Sequence, residues 1–479
     1  MKTDAIGAFQ RASGLTRVRY VVLAFLCALS MITYLDRVCI ASAATPLIGA
    51  LGLQSEADLK WAFTAFTLAY AIFEIPSGWL GDRIGARAVL VRIVLWWSLF
   101  TALTGFAGLR VGGVFFGLGA LIVVRLLFGI GEAGAYPNIT RALHDWFPSR
   151  ERGFGQGMVW MAGRLSGGLT PLVWTLLVEG VGSPGGGEAI SHPLISWRSA
   201  FWLFAALGVI WASAFAAWFR NRPEEKASVG QAELELIRRD RSHSHEGEVR
   251  VPWRALFTDL NLWALCFMYF CGAFGWYFDI TYLPKFLETQ YRIDPGSLPG
   301  AVAKGAPLWL GAAGCLAGGL LTDWLTRRLG RKWGRRSLGL VGHSLCALCC
   351  FGCVWARDAV AFSLAIALAA FWNDLTMASS WAICQDIGRR YTGTVSGCMN
   401  TIGNLGGAAA NLVTGTILGW RLSAYAVSHG ISVEQMSAAE KPVALLPGYQ
   451  VSFAVFGVVY LIAVLLWLRI DATRPVAQA

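Results

Sequence analysis

Arg125 and Glu132 stand seven residues apart in the stretch from Val124 to Asn138, which is otherwise almost wholly apolar or small. Seven residues is about two helical turns, so the guanidinium and the carboxylate share one face, roughly 10 Å apart along the axis. One full positive and one full negative charge on an apolar helix suit two kinds of chemistry: holding an anion, and taking up or releasing a proton. A static salt bridge that only locks neighbouring helices is the competing reading. Similar charges lie in similar surroundings at Asp36 and Arg37, within Tyr34-Leu35-Asp36-Arg37, and at Arg164, among Gly163, Gly167 and Gly168. Adjacent helical residues point about 100° apart, so Asp36 and Arg37 each need a separate neighbour.

The elements that must position these charges are membrane helices. Of the 479 residues, 56% are hydrophobic and only 14% charged, and the mean hydropathy is +0.53, which is too apolar for a soluble globule. Apolar runs of about 20 residues, each long enough to cross the hydrocarbon, recur twelve times: 20–44, 58–80, 88–108, 112–137, 153–179, 197–219, 259–284, 302–325, 337–356, 358–383, 392–419 and 446–469. The reading is an all-α membrane protein of twelve transmembrane helices. The net charge of +11 does not indicate nucleic acid. With both termini cytoplasmic, most Lys and Arg fall on the inner loops, the asymmetry of a multi-pass protein in the cell's inner membrane. Lys2, Arg11, Arg17 and Arg19 ahead of Val21 imitate a signal peptide, but Asp36 and Arg37 interrupt the run, so the first span is expected to remain.

Cys346, Cys349, Cys350 and Cys353 form a CxxCCxxC run in the ninth span. The expectation is that helical spacing spreads them around the helix as small buried hydrophobes rather than a zinc site. His343, His243 and His245 receive no role. Without a nucleophile–base pair, metal cluster or phosphate-binding loop, the chain is read as no enzyme and as needing no cofactor.

Along the chain, Tyr70 and Glu74 lie in the second span, which runs into Gly78-Trp79-Leu80-Gly81-Asp82-Arg83-Ile84-Gly85-Ala86-Arg87. Residues 220–254 break the apolar pattern with Pro223, Pro252 and dense charge. They read as a cytoplasmic linker in which Ser228 opens a capping box for a short amphipathic helix with a solvated charged face. Roughly 240 residues after the first occurrence, Gly78 and Asp82 recur as Gly319 and Asp323, Gly153 and Gly157 as Gly393 and Gly397, and Gly163 and Gly167 as Gly403 and Gly407. The same offset sets Arg164 against Asn404. This repeat implies two six-helix halves, 1–219 and 255–479, related by an axis along the membrane normal, with Arg164 and Asn404 facing each other across a central cavity. The tenth span adds Asp374, either a second proton or cation site or a charge that neutralises a nearby arginine, and Trp381 near its end, a candidate substrate contact.

The ten-residue Gly78–Arg87 pattern, lying between the second and third spans, resembles the signature loop of the major facilitator superfamily. Together with Tyr34-Leu35-Asp36-Arg37, Arg125-x-x-x-Gly129-x-Gly131-Glu132, and the run through Asp386, Gly393, Gly397, Asn400 and Gly403-Asn404-Leu405-Gly406-Gly407, it makes the chain similar to the anion:cation symporter branch, which includes bacterial sugar-acid carriers. The resemblance implies anion binding by Arg37 and Arg125, and proton coupling by Asp36 and Glu132. It also implies substrate contacts from Tyr70, Arg164 and Asn404, with Asn400 as competitor, and a conformational role for Gly78, Asp82, Arg83, Gly85, Arg87 and Asp323. In the sugar-acid carriers the position of Arg164 is an uncharged amide, and that of Glu74 is usually Gln. The expected activity is proton-driven symport of a small organic anion by a monomer, with the proton gradient as driving force. Uncoupled exchange and a transporter-like receptor are the alternatives. In this expectation Arg125 favours the ionised form of Glu132 and desolvation its neutral form, so that a proton releases Arg125 to the substrate.

Overall fold

The computed structural model describes residues 15–53, 56–180, 192–239, 251–293, 298–437 and 439–476. Lys2, Arg11, His243 and His245 lie outside them, as do linker residues 240–250. The chain divides into two compact units: one comprises Met1–Pro252 together with Cys384–Gly397, the other Trp253–Ile383 with Cys398–Val476.

In unit one the helices are α1 (Val18–Ser42), α2 (Ala44–Leu51), α3 (Lys60–Ile84), α4 (Ala86–Thr104), α5 (Leu118–Glu132), α6 (Ala135–Trp146), α7 (Arg152–Trp174), α8 (Trp197–Trp218) and α9 (Gln231–Arg238). Those that begin in unit two are α10 (Trp253–Thr258), α11 (Leu260–Thr281), α12 (Leu283–Tyr291), α13 (Leu298–Trp355), α14 (Ala359–Leu375), α15 (Met377–Gly388) and α17 (Glu440–Trp467), while α16 (Thr392–Ser428) begins in the Cys384–Gly397 segment of unit one and continues in unit two. Helix covers each of the twelve expected spans. Large apolar side chains such as Leu68, Ile210, Leu364, Leu412 and Leu465 are more than half exposed, as suits helices whose outer faces meet lipid.

The fourth span departs from expectation at both ends. Its first residues form a hairpin of β1 (Arg110–Val111) and β2 (Val114–Phe115), because Gly112 and Gly113 adopt the positive φ of +58° and +84° that a tight two-residue turn requires. Near its other end the helix stops at Glu132 and restarts at Ala135, with Gly134 left-handed at φ +85°. Glu132 is therefore the last residue of α5. In unit two, α13 carries the eighth and ninth spans in one run that turns at Gly330 (φ +76°, ψ +167°).

Unit one packs α1 on α7, α3 on α5 and α4 on α8. A Cβ at Gly163 would come within 2.6 Å of the Ser30 hydroxyl and 2.7 Å of the Tyr34 ring, and one at Gly167 within 2.9 Å of the same ring. Glycine is what allows α7 to reach α1. The repeat-related Gly403 and Gly407 of α16 also pack on tyrosine rings of α11, but on two different ones, Tyr269 and Tyr277. The internal repeat is thus one of packing as well as sequence.

Two expectations need correction. The cysteines do not spread around their helix: spacing of three, one and three residues is a single stripe. Cys346, Cys350 and Cys353 accordingly lie together in a core with Phe274, Phe278, Phe453 and Phe456, with Cys349 packed against it. The linker helix α9 has Gly230, not Ser228, at its N-cap and no side-chain cap. Its Glu233 is not solvated but fully buried. That carboxylate accepts hydrogen bonds from the Thr16 hydroxyl (2.6 Å), the backbone N–H groups of Val18 and Arg19 (3.1 and 3.2 Å) and the Arg19 guanidinium (2.9 Å). It satisfies the otherwise open N-terminus of α1.

Candidate substrate site

Helices α1, α3 and α5 bring together Arg37, Tyr70 and Glu132. The Arg37 Nε donates to Glu132 Oε1 at 2.6 Å, and its guanidinium lies 4.4 Å from the centre of the Tyr70 ring. The Glu132 side chain is 1% exposed and that of Arg37 26%. Arg37 Nη2 and Glu132 Oε2 are buried without a hydrogen-bond partner. A buried ion pair with open donors and acceptors is costly unless something else engages them.

The seven-residue spacing therefore misled on the pairing. Glu132 is hydrogen-bonded to Arg37 of another helix, and Arg125 of its own helix is a second charged neighbour. Ending α5 at Glu132 frees its side chain to reach α1, while Arg125, two turns back, is sandwiched by the rings of Phe66 and Phe128 at 4.7 and 4.6 Å. Arg125 is 3% exposed and its Nε has no partner. Asp36 points away from Arg37, as adjacent residues must. It is 3% exposed, both its oxygens lack hydrogen-bond partners, and its charged neighbours are Glu132 and Arg125.

On the α1–α7 seam, Arg164 Nη1 donates to the Tyr34 hydroxyl at 2.6 Å, with the Trp160 ring centre 5.7 Å from the guanidinium. Trp160 stacks on Tyr136 at 4.3 Å, whose hydroxyl shares a 3.0 Å hydrogen bond with Ser30. Tyr34 is one turn from Arg37 on α1, and Tyr34 and Tyr136 are both among the neighbours of Arg37. Sequence reasoning missed these aromatic partners because no spacing rule ties α7 to α1.

In unit two, Asn404 accepts a hydrogen bond from the Tyr277 hydroxyl at 3.3 Å, and Asn400 is buried. Trp381 is fully buried and donates to the Tyr269 hydroxyl at 3.1 Å. Asp374 is also fully buried; Asn373 donates to it at 3.2 Å. His343 accepts from the Trp467 indole at 2.8 Å. Arg164 belongs to unit one and Asn404 to unit two.

The glycine-rich loop has its own chemistry. Asp82 accepts from the backbone N–H groups of Gly393 (2.8 Å) and Thr394 (2.7 Å), the Thr394 hydroxyl (2.7 Å) and Arg141 (3.2 Å). A Cβ at Gly78 would collide with the Gly393 carbonyl, and one at Gly81 with Asn138. Arg83 lies over the Trp79 ring at 5.6 Å. Gly85 turns at φ +90°, and Arg87 donates to the Ala216 carbonyl. Nearby, Arg152 pairs with buried Asp386 at 2.9 Å. In unit two Asp323 pairs with Arg335 at 3.2 Å.

Comparison with known proteins follows the geometry. The family model described as Major Facilitator Superfamily matches residues 26–411. A probable sulfoacetate transporter of Cupriavidus necator is 32% identical over 404 residues, covering 84% of this chain and 88% of that protein. The hexuronate transporter of Bacillus subtilis is 28% identical over 427 residues, 86% and 92% of the two chains. Among solved structures, the proton:xylose symporter XylE covers 93% of this chain and 94% of its own with a TM-score of 0.67 at 12% identity. The human organic anion transporter MFSD10 covers 94% of this chain and all of its own, at 0.65 and 15%. At such identities the structures speak to the fold alone.

Proposed function

Because this chain belongs to the Major Facilitator Superfamily, we propose that it is a secondary transporter of a small organic anion, a sugar acid or a related carboxylate or sulfonate, coupled to protons through Glu132. The curated relatives, named as carriers of sulfoacetate, hexuronate, galactonate and glucarate, support the substrate class. The observation that carries the coupling is the 2.6 Å pair between Arg37 and Glu132, with an open donor on one partner and an open acceptor on the other.

An arginine grips a carboxylate or sulfonate through parallel N–H donors. While Glu132 is ionised it competes for Arg37. A proton on Glu132 ends the charge attraction and releases Arg37 to the substrate, beneath the Tyr70 ring. Arg125 adds positive potential from between its two aromatic faces, and Asp36 is the second candidate proton carrier, with Asp374 a third in unit two. Alternating access is the transport cycle of this reading, and the protein works as a monomer in the inner membrane, with both termini cytoplasmic and residues 220–254 linking the halves 1–219 and 255–479.

The test is uptake of radiolabelled organic anions into proteoliposomes, with an inward proton gradient imposed and then collapsed. Accumulation of an anion only under the gradient is the expected result. Equal uptake in both conditions would make the protein an exchanger or facilitator in which Glu132 merely balances Arg37.

A further inference from the structure

Arg92 breaks the pattern of the helix that carries it. On α4 the exposed positions are Ala88, Arg92, Leu95, Trp96 and Leu99, spaced as one helical stripe. Four of them are the apolar or aromatic residues that suit a face turned to lipid. The remaining one is a full cation, about 9 Å of rise inside the helix from its first residue, Ala86. Its Nη2 donates to the Ser77 hydroxyl at 3.3 Å, a neutral acceptor, and among the described residues no carboxylate pairs with it. A guanidinium on a lipid-facing surface is costly at bilayer depth, and one long hydrogen bond to a hydroxyl offsets little of that cost. The groups beside Arg92 form a shallow seat. One turn along the stripe, the Trp96 indole donates to the Leu127 carbonyl of α5 at 2.8 Å, and a Cβ on Gly131 would collide with its ring. A Cβ on Gly134 would collide with Ser77. The seat therefore flanks the break at which α5 ends and α6 begins.

We propose that Arg92 binds the phosphate of an anionic phospholipid whose acyl chains run along Trp96 and Leu99. Charge complementarity selects that occupant. The position is reached from the lipid, the protein supplies no counter-charge there, and a phosphate offers two oxygens to the parallel N–H donors of a guanidinium. A zwitterionic lipid brings its own cation and gains less from the same arginine. This site goes beyond the transport reading, and its test needs no transported substrate.

The experiment is native mass spectrometry of the full chain released from neutral detergent, with phosphatidylglycerol or phosphatidylcholine of matched acyl chains added. Wild type is compared with Arg92→Gln, Arg92→Lys and Arg328→Gln. Arg328 is an exposed arginine over the Trp324 ring of α13, so it reports the effect of surface charge in general. The wild type should prefer phosphatidylglycerol. Arg92→Gln should lower that preference about fivefold, the scale of one cation at an anionic surface, while Arg92→Lys and Arg328→Gln keep it. In the wild type alone, a photoactivatable phosphatidylglycerol should label α4 between Ala88 and Leu99, a readout that holds even where Arg92→Gln fails to fold. Equal binding of the two lipids, an unchanged preference in folded Arg92→Gln, an equal loss in Arg328→Gln, or labelling confined to other helices each overturns the proposal. A preference abolished by excess inorganic phosphate assigns Arg92 to a free anion and overturns it as well.

Discussion

Glu132 shows what residue types disclose and what they hide. Its charge on an apolar run marked it from sequence, as the charges of Arg37, Arg125, Asp36 and Arg164 marked them, and all of these are buried except Arg37, which is partly exposed. The pairing was hidden, because it depends on where α5 stops, and a helix end two residues before Gly134 is a matter of backbone turn rather than of charge spacing. Asp82 was equally visible, and it caps a neighbouring helix, the start of α16; which helix was hidden. Its partners Gly393 and Thr394 lie more than 300 residues away, and no local pattern reaches that far. Asp82→Ala strips two backbone N–H groups and the Thr394 hydroxyl of their acceptor, at roughly 1–3 kcal/mol for each donor left buried. A clear fall in the apparent unfolding temperature of the detergent-solubilised protein is expected, with Asp82→Asn intermediate. Unfolding at the wild-type temperature would mean that these donors find water or other acceptors.

Elements were the most legible scale, because about 20 apolar residues have few ways to satisfy their backbone in lipid other than as helix. The repeat of glycine spacing marked α7 and α16 as close-packing helices, but not α1 and α11 as the helices they pack on. Where the two halves differ, the turn shows it: Gly85 and Gly330 both turn the chain at positive φ, yet Gly330 follows Asp323 by four residues more than Gly85 follows Asp82, about one helical turn. The linker helix α9 was legible as a helix and illegible as a tether, since amphipathic charge looks solvated until its partner is known. Glu233 caps α1 and pairs with Arg19, which also bonds Glu151 at 2.8 Å. Glu233→Ala should loosen α9 from α1 and expose Arg238 and Arg239 to trypsin, and native-state cleavage there should be faster than in the wild type. Unchanged cleavage would mean that α9 is held by its apolar face through Ile237 instead.

At the scale of the molecule, a segment from late in the chain, Cys384–Gly397, belongs to the unit built by the first 252 residues. Asp82 and Arg152 hold it there, through Gly393, Thr394 and Asp386. Halves delimited by sequence alone, at 219 and 255, do not anticipate this, because composition and hydropathy carry no information on which buried acid meets which distant N–H. The family and fold were legible across nearly the whole chain, and the proposed substrate class draws on the named relatives and on the arginines together. The central claim is that Glu132 couples a proton to the release of Arg37. The most direct measurement compares wild type and Glu132→Gln in proteoliposomes, reading counterflow exchange of a transported anion beside its gradient-driven accumulation. The account expects Glu132→Gln to retain exchange and to lose accumulation together with its response to external pH. Accumulation that still follows the proton gradient in Glu132→Gln would contradict it.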